Sequence, residues 1–163
     1  MDNFIRVYQN AFSDELCNRL ITKFESTPDS SKERHDMGEM HFSQVNFRAC
    51  GWKQEQDELV NIFLSHTKKY TDDIGITTEF PQKYALEDIR LKKYMPDGHD
   101  QFGPHVDVVD KNTSTRFLVF FVYLDDNISG GTHFDRINLT SPCKKGSILI
   151  FPPLWTHLHS GLK

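Results

Sequence analysis

The first half of the chain carries apolar positions at helical spacing. One stripe consists of Leu16, Leu20 and Phe24, and a second consists of Leu59, Ile62, Phe63, His66 and Tyr70. Because residues three and four apart share one face of a helix, these stripes predict amphipathic helices over about 14–25 and 54–73. Ser13 provides a typical N-cap for the first helix. Residues 4–8 are rich in β-forming side chains and predict an opening strand.

Between the two helices lies a polar segment without a sustained period. Residues 29–50 follow Pro28, which favours the end of the first helix, and they contain few apolar side chains. Polar sequence without periodicity is typical of loops. We therefore interpret 29–50 as a long loop that contains one short strand near residues 45–47.

From residue 86 onward the pattern changes to short, closely spaced strands. The predicted strands cover 86–94, 116–124, 132–134, 137–140, 147–151 and 157–161. Residues 116–124 are apolar on both faces, which predicts a central strand buried on both sides. Turn residues separate the strands, as at 95–98 and 144–146. Two helices followed by six or seven strands predict an α+β, mainly β fold with helices packed on a β-sandwich.

Composition narrows the functional classes without selecting one. The 163 residues suit one domain with a sizeable core, and a formal net charge of −4 argues against a broad nucleic-acid-binding surface. The three scattered cysteines predict reduced thiols in a cytosol-like compartment. We expect a cytoplasmic protein without a membrane partner, because neither a signal-peptide pattern nor an apolar run of membrane-spanning length is seen. The oligomeric state stays open.

The stretch with the clearest chemical meaning is His105-Val106-Asp107. In an extended strand, residues i and i+2 point to the same face, so this imidazole and carboxylate can aim at one point. The histidine-rich stretch 155–159 can supply a third ligand. Two histidines and one carboxylate form the facial triad of non-haem Fe(II) oxygenases. A hydrogen-bonded His–Asp pair without metal is the alternative interpretation.

Two histidines compete for the third ligand position. His157 and His159 alternate with their neighbours, so both face one way if the segment is a strand. The residues alone leave this choice open. We expect His133, beside two glycines, to be a surface or pocket-rim residue and not a ligand.

Six short motifs then follow one another in the order of a known family. They are Leu91-Lys92-Lys93-Tyr94, His105-Val106-Asp107, residues 116–124, Gly130-Gly131-Thr132-His133-Phe134, residues 144–151 and His159-Ser160-Gly161. Together they resemble the 2-oxoglutarate/Fe(II)-dependent oxygenase superfamily, and its prolyl 4-hydroxylase-like branch in particular. The resemblance implies a double-stranded β-helix (jelly roll) with N-terminal flanking helices. It further implies one oxygenase domain over 1–163, with helical support in 1–85 and the jelly-roll core in 86–163.

The resemblance also implies an iron site and a cosubstrate pocket. The implied iron ligands are His105, Asp107 and His159, the last through its H-x-G pattern. The implied 2-oxoglutarate contacts are Tyr94, Phe121 and Tyr123. Among them, Tyr123 is expected to bind the distal carboxylate, and Trp155 is expected at the pocket mouth as a substrate contact. The implied cofactors are Fe(II), 2-oxoglutarate and O2, with ascorbate as a further candidate, and no catalytic residue is expected beyond the metal ligands.

The activity that this resemblance implies is that of a 2-oxoglutarate-dependent dioxygenase. Such an enzyme hydroxylates an unactivated C–H bond and releases succinate and CO2. A prolyl residue in a peptide or protein is the expected substrate. The alternatives are the same chemistry on a free amino acid or other small molecule, and a non-catalytic jelly-roll module that binds a metal or ligand.

The sequence departs from the family pattern near its C-terminal end. Family members place a Lys or Arg beyond the distal histidine, where it pairs with the far carboxylate of 2-oxoglutarate, but this sequence ends at Lys163. We therefore expect a truncated chain that lacks the last strand of the core. Arg90 and Arg116 are alternative cations for this carboxylate. Lys92 and Lys93 are expected at a solvated edge.

Overall fold

Two antiparallel β-sheets and two helices make up residues 4–96 and 98–162, the part of the chain that the computed structural model describes. The helices are α1 (Asp14–Ser26) and α2 (Lys53–Ile74). The strands are β1 (Arg6–Tyr8), β2 (Glu33–Met37), β3 (Met40–Asn46), β4 (Arg90–Lys93), β5 (Gln101–His105), β6 (Val119–Val122), β7 (Asn127–Phe134), β8 (Leu139–Cys143), β9 (Ile148–Phe151) and β10 (His159–Gly161). Asp97 of the predicted turn and Lys163 lie outside the described residues.

Both predicted helices are confirmed, with ends within one residue of the predicted ones. The Ser13 hydroxyl accepts a hydrogen bond from the Leu16 backbone N–H at 3.2 Å, which caps α1. Helix α2 ends at Gly75, whose φ of 73° lies in the left-handed region that closes many helices. The apolar stripes of both helices are buried in one cluster. No helix within the described ranges has the length and apolar character that a bilayer span requires.

The helices cover one face of a three-stranded sheet with the order β1-β9-β6. Side chains of the central strand β9 alternate between two cores, as the period of two in a strand requires. Ile148 and Ile150 pack in the cluster with the helices, whereas Leu149 and Phe151 pack on the opposite face. The prediction that 116–124 is the central strand is therefore wrong. Its strand β6 lies at the sheet edge and is only half-buried, and β9 occupies the centre.

The larger sheet has the order β2-β3-β5-β10-β7-β8, and β4 pairs with β3 beside β5. The prediction of a loop over 29–50 is wrong, because β2 and β3 form an antiparallel hairpin there. Strand β2 is short, lies at the edge and is largely exposed, so its sequence has no apolar alternation to reveal it. Backbone hydrogen bonds to β3 form the strand regardless of its polar side chains.

The two sheets face each other across a second core. Phe134 from the larger sheet packs there with Leu149 and Phe151 from the smaller one. Side chains of β6 and β8 extend the same cluster. The result is three layers, helices on a small sheet on a large sheet, and this is the jelly roll with N-terminal flanking helices that the sequence predicts.

Candidate metal centre

Three side chains meet where β5 ends and β10 begins. His105 and His159 are direct partners across these antiparallel strands, and Asp107 follows two residues after β5. Their ligand atoms all lie within 4.8 Å of one another. We call His105, Asp107 and His159 the triad.

Residues 105–107 do not form the single extended strand that the sequence predicts. Strand β5 stops at His105, and Asp107 lies in a bend. The backbone N–H of Asp107 donates to the Pro153 carbonyl at 3.2 Å, and its carbonyl accepts from Arg116 Nη1 at 3.0 Å. Backbone contacts from two distant segments, and not strand geometry alone, therefore aim the carboxylate.

The backbone also fixes the orientation of both imidazoles. His105 Nδ1 donates to the Gly103 carbonyl at 2.8 Å, and His159 Nδ1 donates to the His157 carbonyl at 2.9 Å. A carbonyl only accepts, so each Nδ1 carries the proton and each Nε2 presents a lone pair. Metal-binding histidines are commonly held in this way.

The inward-facing atoms of the triad have no protein partner. Within the described residues, His105 Nε2, Asp107 Oδ2 and His159 Nε2 are buried and accept or donate no hydrogen bond. Each such group costs about 1–3 kcal/mol if nothing binds it. Asp107 oxygens lie 3.9 Å from His105 Nε2 and 3.8 Å from His159 Nε2. First-row divalent ions bind N and O ligands at about 2.0–2.2 Å, so one ion fits between these atoms.

The surroundings keep both histidines in the ligand form. Burial lowers the pKa of His105 and of His159 from the usual value, which favours the neutral imidazole at neutral pH. The Phe102 ring stacks on His105 at 3.8 Å, and the Phe151 ring meets His159 edge-on at 4.8 Å. These rings therefore cover part of each imidazole, and the Nε2 atoms have no protein partner in the described structure.

The structure places the competing histidines elsewhere. Residues Trp155–His157 form a 3-10 turn, so His157 does not alternate with His159 on a strand as predicted. The His157 ring is buried, and its Nδ1 lies 2.7 Å from the Thr156 hydroxyl. His133 is bonded to the Thr140 hydroxyl and, among the described residues, joins no group of metal-ligand type.

A second group of potential ligands lies where the β2–β3 hairpin meets the segment before β5. It comprises Asp36, His41 and His99. These residues are already bonded, since His41 Nδ1 and His99 Nε2 both contact the Asp36 carboxylate, and His41 Nε2 contacts the Gly38 carbonyl. The hydrogen bonds within this group satisfy its atoms, whereas the triad's inward atoms are unsatisfied. This contrast selects the triad as the candidate metal centre.

Two of the predicted cosubstrate contacts lie on the inner side of the small sheet. The Phe121 ring is 5.7 Å from the His159 ring, and Phe121 and Tyr123 both pack in the core between the sheets. The Tyr123 hydroxyl lies 2.7 Å from Thr132 Oγ1. Burial raises the pKa of Tyr123, so the hydroxyl keeps its proton and can donate to an anion. Their binding of 2-oxoglutarate remains a prediction.

The other two predicted contacts are more exposed. Tyr94 is 42% exposed, and its ring packs on Phe42 at 5.6 Å. Trp155 is 68% exposed at the start of the 3-10 turn. Their roles as a cosubstrate contact and a substrate contact remain predictions.

A cleft of about 360 Å³ opens beside His105. The tip of the β2–β3 hairpin, residues 37–40, forms one wall, and residues 102–105 form the other. The Gly103 N–H donates to the Glu39 carbonyl at 2.8 Å, which holds the hairpin against β5. Sequence reasoning missed this cleft because it assigned the hairpin to a loop.

The cations named from the sequence are engaged elsewhere. Arg116 binds the Glu87 carboxylate with Nε at 2.7 Å and Nη2 at 3.0 Å, in addition to the Asp107 carbonyl. Arg90 is exposed and bonds the Asp88 carbonyl. Lys92, expected at a solvated edge, is instead half-buried above Phe42 and Phe102. The signal that could have found it is its i+2 relation to Tyr94, which places both side chains on one face.

Solved structures of other proteins have the same fold as this chain. A viral collagen prolyl hydroxylase from Paramecium bursaria Chlorella virus-1, solved as a 2-oxoglutarate complex, superposes with a TM-score of 0.69 at 18% identity, over 98% of this chain and 87% of that chain. A truncated form of the viral enzyme gives 0.64 at 19% identity, over 98% and 82%. A prolyl-4-hydroxylase from Pseudomonas putida gives 0.62 at 12% identity, over 97% and 83%.

These likenesses confirm, at the level of the fold, the resemblance to the prolyl 4-hydroxylase-like branch. No family model matches the sequence, and no curated protein matches it significantly. The fold is therefore shown by structure, and the chemistry has to be argued from the triad.

Proposed function

We propose that this protein is an Fe(II)- and 2-oxoglutarate-dependent dioxygenase that hydroxylates an unactivated C–H bond. One observation carries the proposal: three buried ligand atoms of the triad converge without partners, in a fold shared with a prolyl hydroxylase solved with 2-oxoglutarate. Imidazole and carboxylate ligands in the ratio of two to one are those of non-haem Fe(II) oxygenases.

In this proposal His105, Asp107 and His159 hold the iron. Bound Fe(II) supplies the reaction with O2 and 2-oxoglutarate that yields succinate, CO2 and the hydroxylated product. The protein contributes orientation, since the Gly103 and His157 carbonyls fix both imidazoles. The aromatic rings around the histidines limit the access of water to the centre.

The cosubstrate is proposed to lie between the sheets, next to the triad. The Tyr123 hydroxyl is proposed to donate to its distal carboxylate, Phe121 to form a wall, and Tyr94 to contact the metal-bound end. Ascorbate is a candidate reductant for the iron centre. A single oxygenase domain over 1–163 is part of the same proposal.

A prolyl residue in a peptide or protein is the proposed substrate. The cleft between the hairpin tip and β5 opens beside His105 and has the size of a binding site for a few side chains. Trp155 is proposed to contact the substrate. The structural neighbours act on proline, according to their names, which supports this choice.

Anaerobic titration of 2-oxoglutarate into the Fe(II) protein tests the chemistry. We expect a weak visible charge-transfer band from the chelate, and succinate formation when O2 is added. Asp107→Ala should abolish both, because it removes the carboxylate ligand. His133→Ala is the matched control, since that histidine is only partly buried and is bonded to Thr140. If the wild-type protein binds iron but gives no band, a non-catalytic binding module is the better interpretation.

Mass spectrometry of a panel of proline-rich peptides tests the substrate. After incubation with Fe(II), 2-oxoglutarate and O2, we expect a peptide to gain one oxygen atom on a prolyl residue. Succinate release stimulated by free amino acids or other small molecules, and not by any peptide, would instead favour a small-molecule substrate.

A further inference from the structure

The Lys92 side chain points toward the metal centre and not toward solvent. Its Nζ lies 4.5 Å from the centre of the Phe42 ring and 4.3 Å from that of Phe102. The same Phe102 ring stacks on His105 at 3.8 Å. Lys92 and the triad imidazole of His105 thus contact the same aromatic ring.

Neighbouring residues on β4 show that this orientation is specific. Lys93, the next residue, points the opposite way and pairs with Glu25 of α1 at 2.7 Å. Tyr94, two residues on, packs on Phe42 like Lys92. Strand alternation therefore places Lys92 and Tyr94 on the face toward the site and Lys93 on the face toward α1.

No ion pair or hydrogen bond joins Lys92 to another residue among 4–96 and 98–162. Burial is the main influence on this ammonium and lowers the pKa of Lys92 to about 8. The Asp107 carboxylate raises this pKa, whereas Arg90 lowers it. The two aromatic rings favour the ammonium form. A half-buried ammonium without a counter-ion is costly, so the site favours a ligand that brings one.

The charge of an occupied centre points to the same ligand class. A divalent ion outweighs the single charge of Asp107, and Lys92 adds a further positive charge close by. Arg116 is occupied by Glu87, and Arg90 is exposed, so neither competes for a ligand at this position. A ligand with a carboxylate near the metal would neutralise this excess.

We propose that Lys92 is the carboxylate-binding residue of the site, and that its ammonium pairs with an acidic group of a ligand bound at the triad. The proposal rests on the proposed function, in which such a ligand is present. The carboxylate comes either from the far end of 2-oxoglutarate or from an acidic substrate peptide. Both sources offer the same chemistry to Lys92, and two experimental arms separate them.

The first arm compares 2-oxoglutarate with 2-oxobutyrate, a keto acid that chelates iron equally but lacks the distal carboxylate. Affinity is measured by anaerobic titration of the Fe(II) protein, with the chelate band as the readout. If Lys92 binds the cosubstrate, Lys92→Met should weaken 2-oxoglutarate binding by roughly tenfold to hundredfold, as loss of a charge-assisted hydrogen bond would. Binding of 2-oxobutyrate should stay unchanged, and Lys92→Arg should retain the preference.

The second arm compares two proline-rich peptides that differ only in Glu or Gln beside the proline. Their affinities for the Fe(II)–2-oxoglutarate protein are measured by anaerobic calorimetry. If the carboxylate comes from the substrate, wild type should prefer the Glu peptide, and Lys92→Met should lose that preference while its affinity for 2-oxoglutarate is unchanged.

Lys93→Met is the matched control, because it removes the same charge from the opposite face of β4. It should behave as wild type in both arms. Thermal denaturation checks the fold, and Lys92→Met should be at least as stable as wild type at neutral pH, since burial disfavours the ammonium. If Lys92→Met keeps both preferences, or if Lys93→Met loses them equally, the proposal is wrong. A wild-type protein that forms no chelate contradicts the proposed function, and this inference with it.

Discussion

At the scale of single residues, the triad is defined by which atoms are bonded and which are not. Both histidines donate a hydrogen bond from Nδ1 to a backbone carbonyl. Both Nε2 atoms are buried and have no hydrogen-bond partner in the described structure. Asp107 is held by its backbone, through Pro153 and Arg116, so its carboxylate is left for a ligand. We therefore propose that Arg116 positions Asp107 through its backbone carbonyl.

Substitution of Arg116 tests this positioning role. Arg116→Ala removes the donor to the Asp107 carbonyl and the partner of Glu87. We expect the dissociation constant for Fe(II) to rise by about 10–100-fold, as is usual when a supporting contact of a metal ligand is lost. Anaerobic metal titration measures this change, and the affinity of the metal-loaded protein for 2-oxoglutarate separates it from cosubstrate binding.

Arg90→Ala is the control for Arg116→Ala, because Arg90 is exposed and bonds only the nearby Asp88 carbonyl in the described structure. It should leave the metal affinity within twofold or so of wild type. Equal metal affinity in Arg116→Ala and wild type would show that the bend at Asp107 holds without the guanidinium.

At the scale of elements, strand register brings the triad histidines together. His159 lies opposite His105 on one side and opposite Phe134 on the other, so β10 ties β5 to β7. The register of β7 against β8 depends on Gly131, which has a φ of 125°. A Cβ there would lie 2.2 Å from the Ser141 carbonyl oxygen, so no other residue fits without moving the backbone.

Paired glycine substitutions test the importance of this register. Gly131→Ala should lower the free energy of unfolding by roughly 2–4 kcal/mol. The cost of a positive φ at a non-glycine residue and the cost of the clash between Cβ and backbone add together. Gly130→Ala is the control, because its Cβ would meet only the Asn127 side chain, which can rotate away. Urea denaturation followed by circular dichroism gives both values. Similar stabilities for the two variants would contradict the proposed role of Gly131.

The β2–β3 hairpin is the other element that shapes the site. Met40 and His41 pair with Phe102 and Gln101 of β5, so the hairpin tip lies along the strand that ends at His105. Phe42 of the same hairpin supports Lys92 and Tyr94. A segment with little apolar sequence thus supplies one wall of the cleft and the floor beneath Lys92.

At the scale of the whole molecule, the three layers place the candidate metal centre between two sheets. The helices bury the outer face of the small sheet, and the inner faces of both sheets bury His159 to 1% exposure. A ligand that binds only the folded arrangement stabilises it by mass action. Metal binding should therefore be visible in global stability.

Thermal denaturation with and without Fe(II) under anaerobic conditions tests this linkage. At a metal concentration of about 100 times Kd, the stabilisation is about 2.7 kcal/mol, which raises Tm by roughly 5–10 °C for a chain of this size. The shift should be absent in Asp107→Ala and present in His133→Ala.

The rise in Tm that Fe(II) causes should become smaller as pH falls. Burial lowers the pKa of both triad histidines below the unfolded value of about 6.5, so they stay neutral and bind metal somewhat below that pH. When pH falls below the lowered pKa of these histidines, they become protonated and no longer bind metal. The rise in Tm caused by Fe(II) should then disappear. In the metal-free protein, the unfolded chain binds more protons in this range, so this contribution to stability falls as pH falls. A metal-dependent shift that persists unchanged in acid would contradict the assignment.

Local sequence determined the elements whose signals are local. The stripes of α1 and α2, the Ser13 cap and the apolar run of β9 each depend on a few neighbouring residues, and they formed where predicted. The family resemblance predicted the jelly roll, which the fold confirms, and it named the three residues of the triad, whose side chains the structure brings together. The hairpin over 29–50 was not predicted, because an edge strand with polar residues on both faces shows no alternation of apolar and polar positions.

Only the tertiary structure decided which side chains share one site. The choice of His159 over His157 depended on a 3-10 turn, and the engagement of Arg116 depended on Glu87, 29 residues away. Lys92, expected at a solvated edge, is instead half-buried because its ammonium lies over the Phe42 and Phe102 rings. Such contacts join distant segments, and their energies depend on burial and distance, which the order of residues along the chain does not contain.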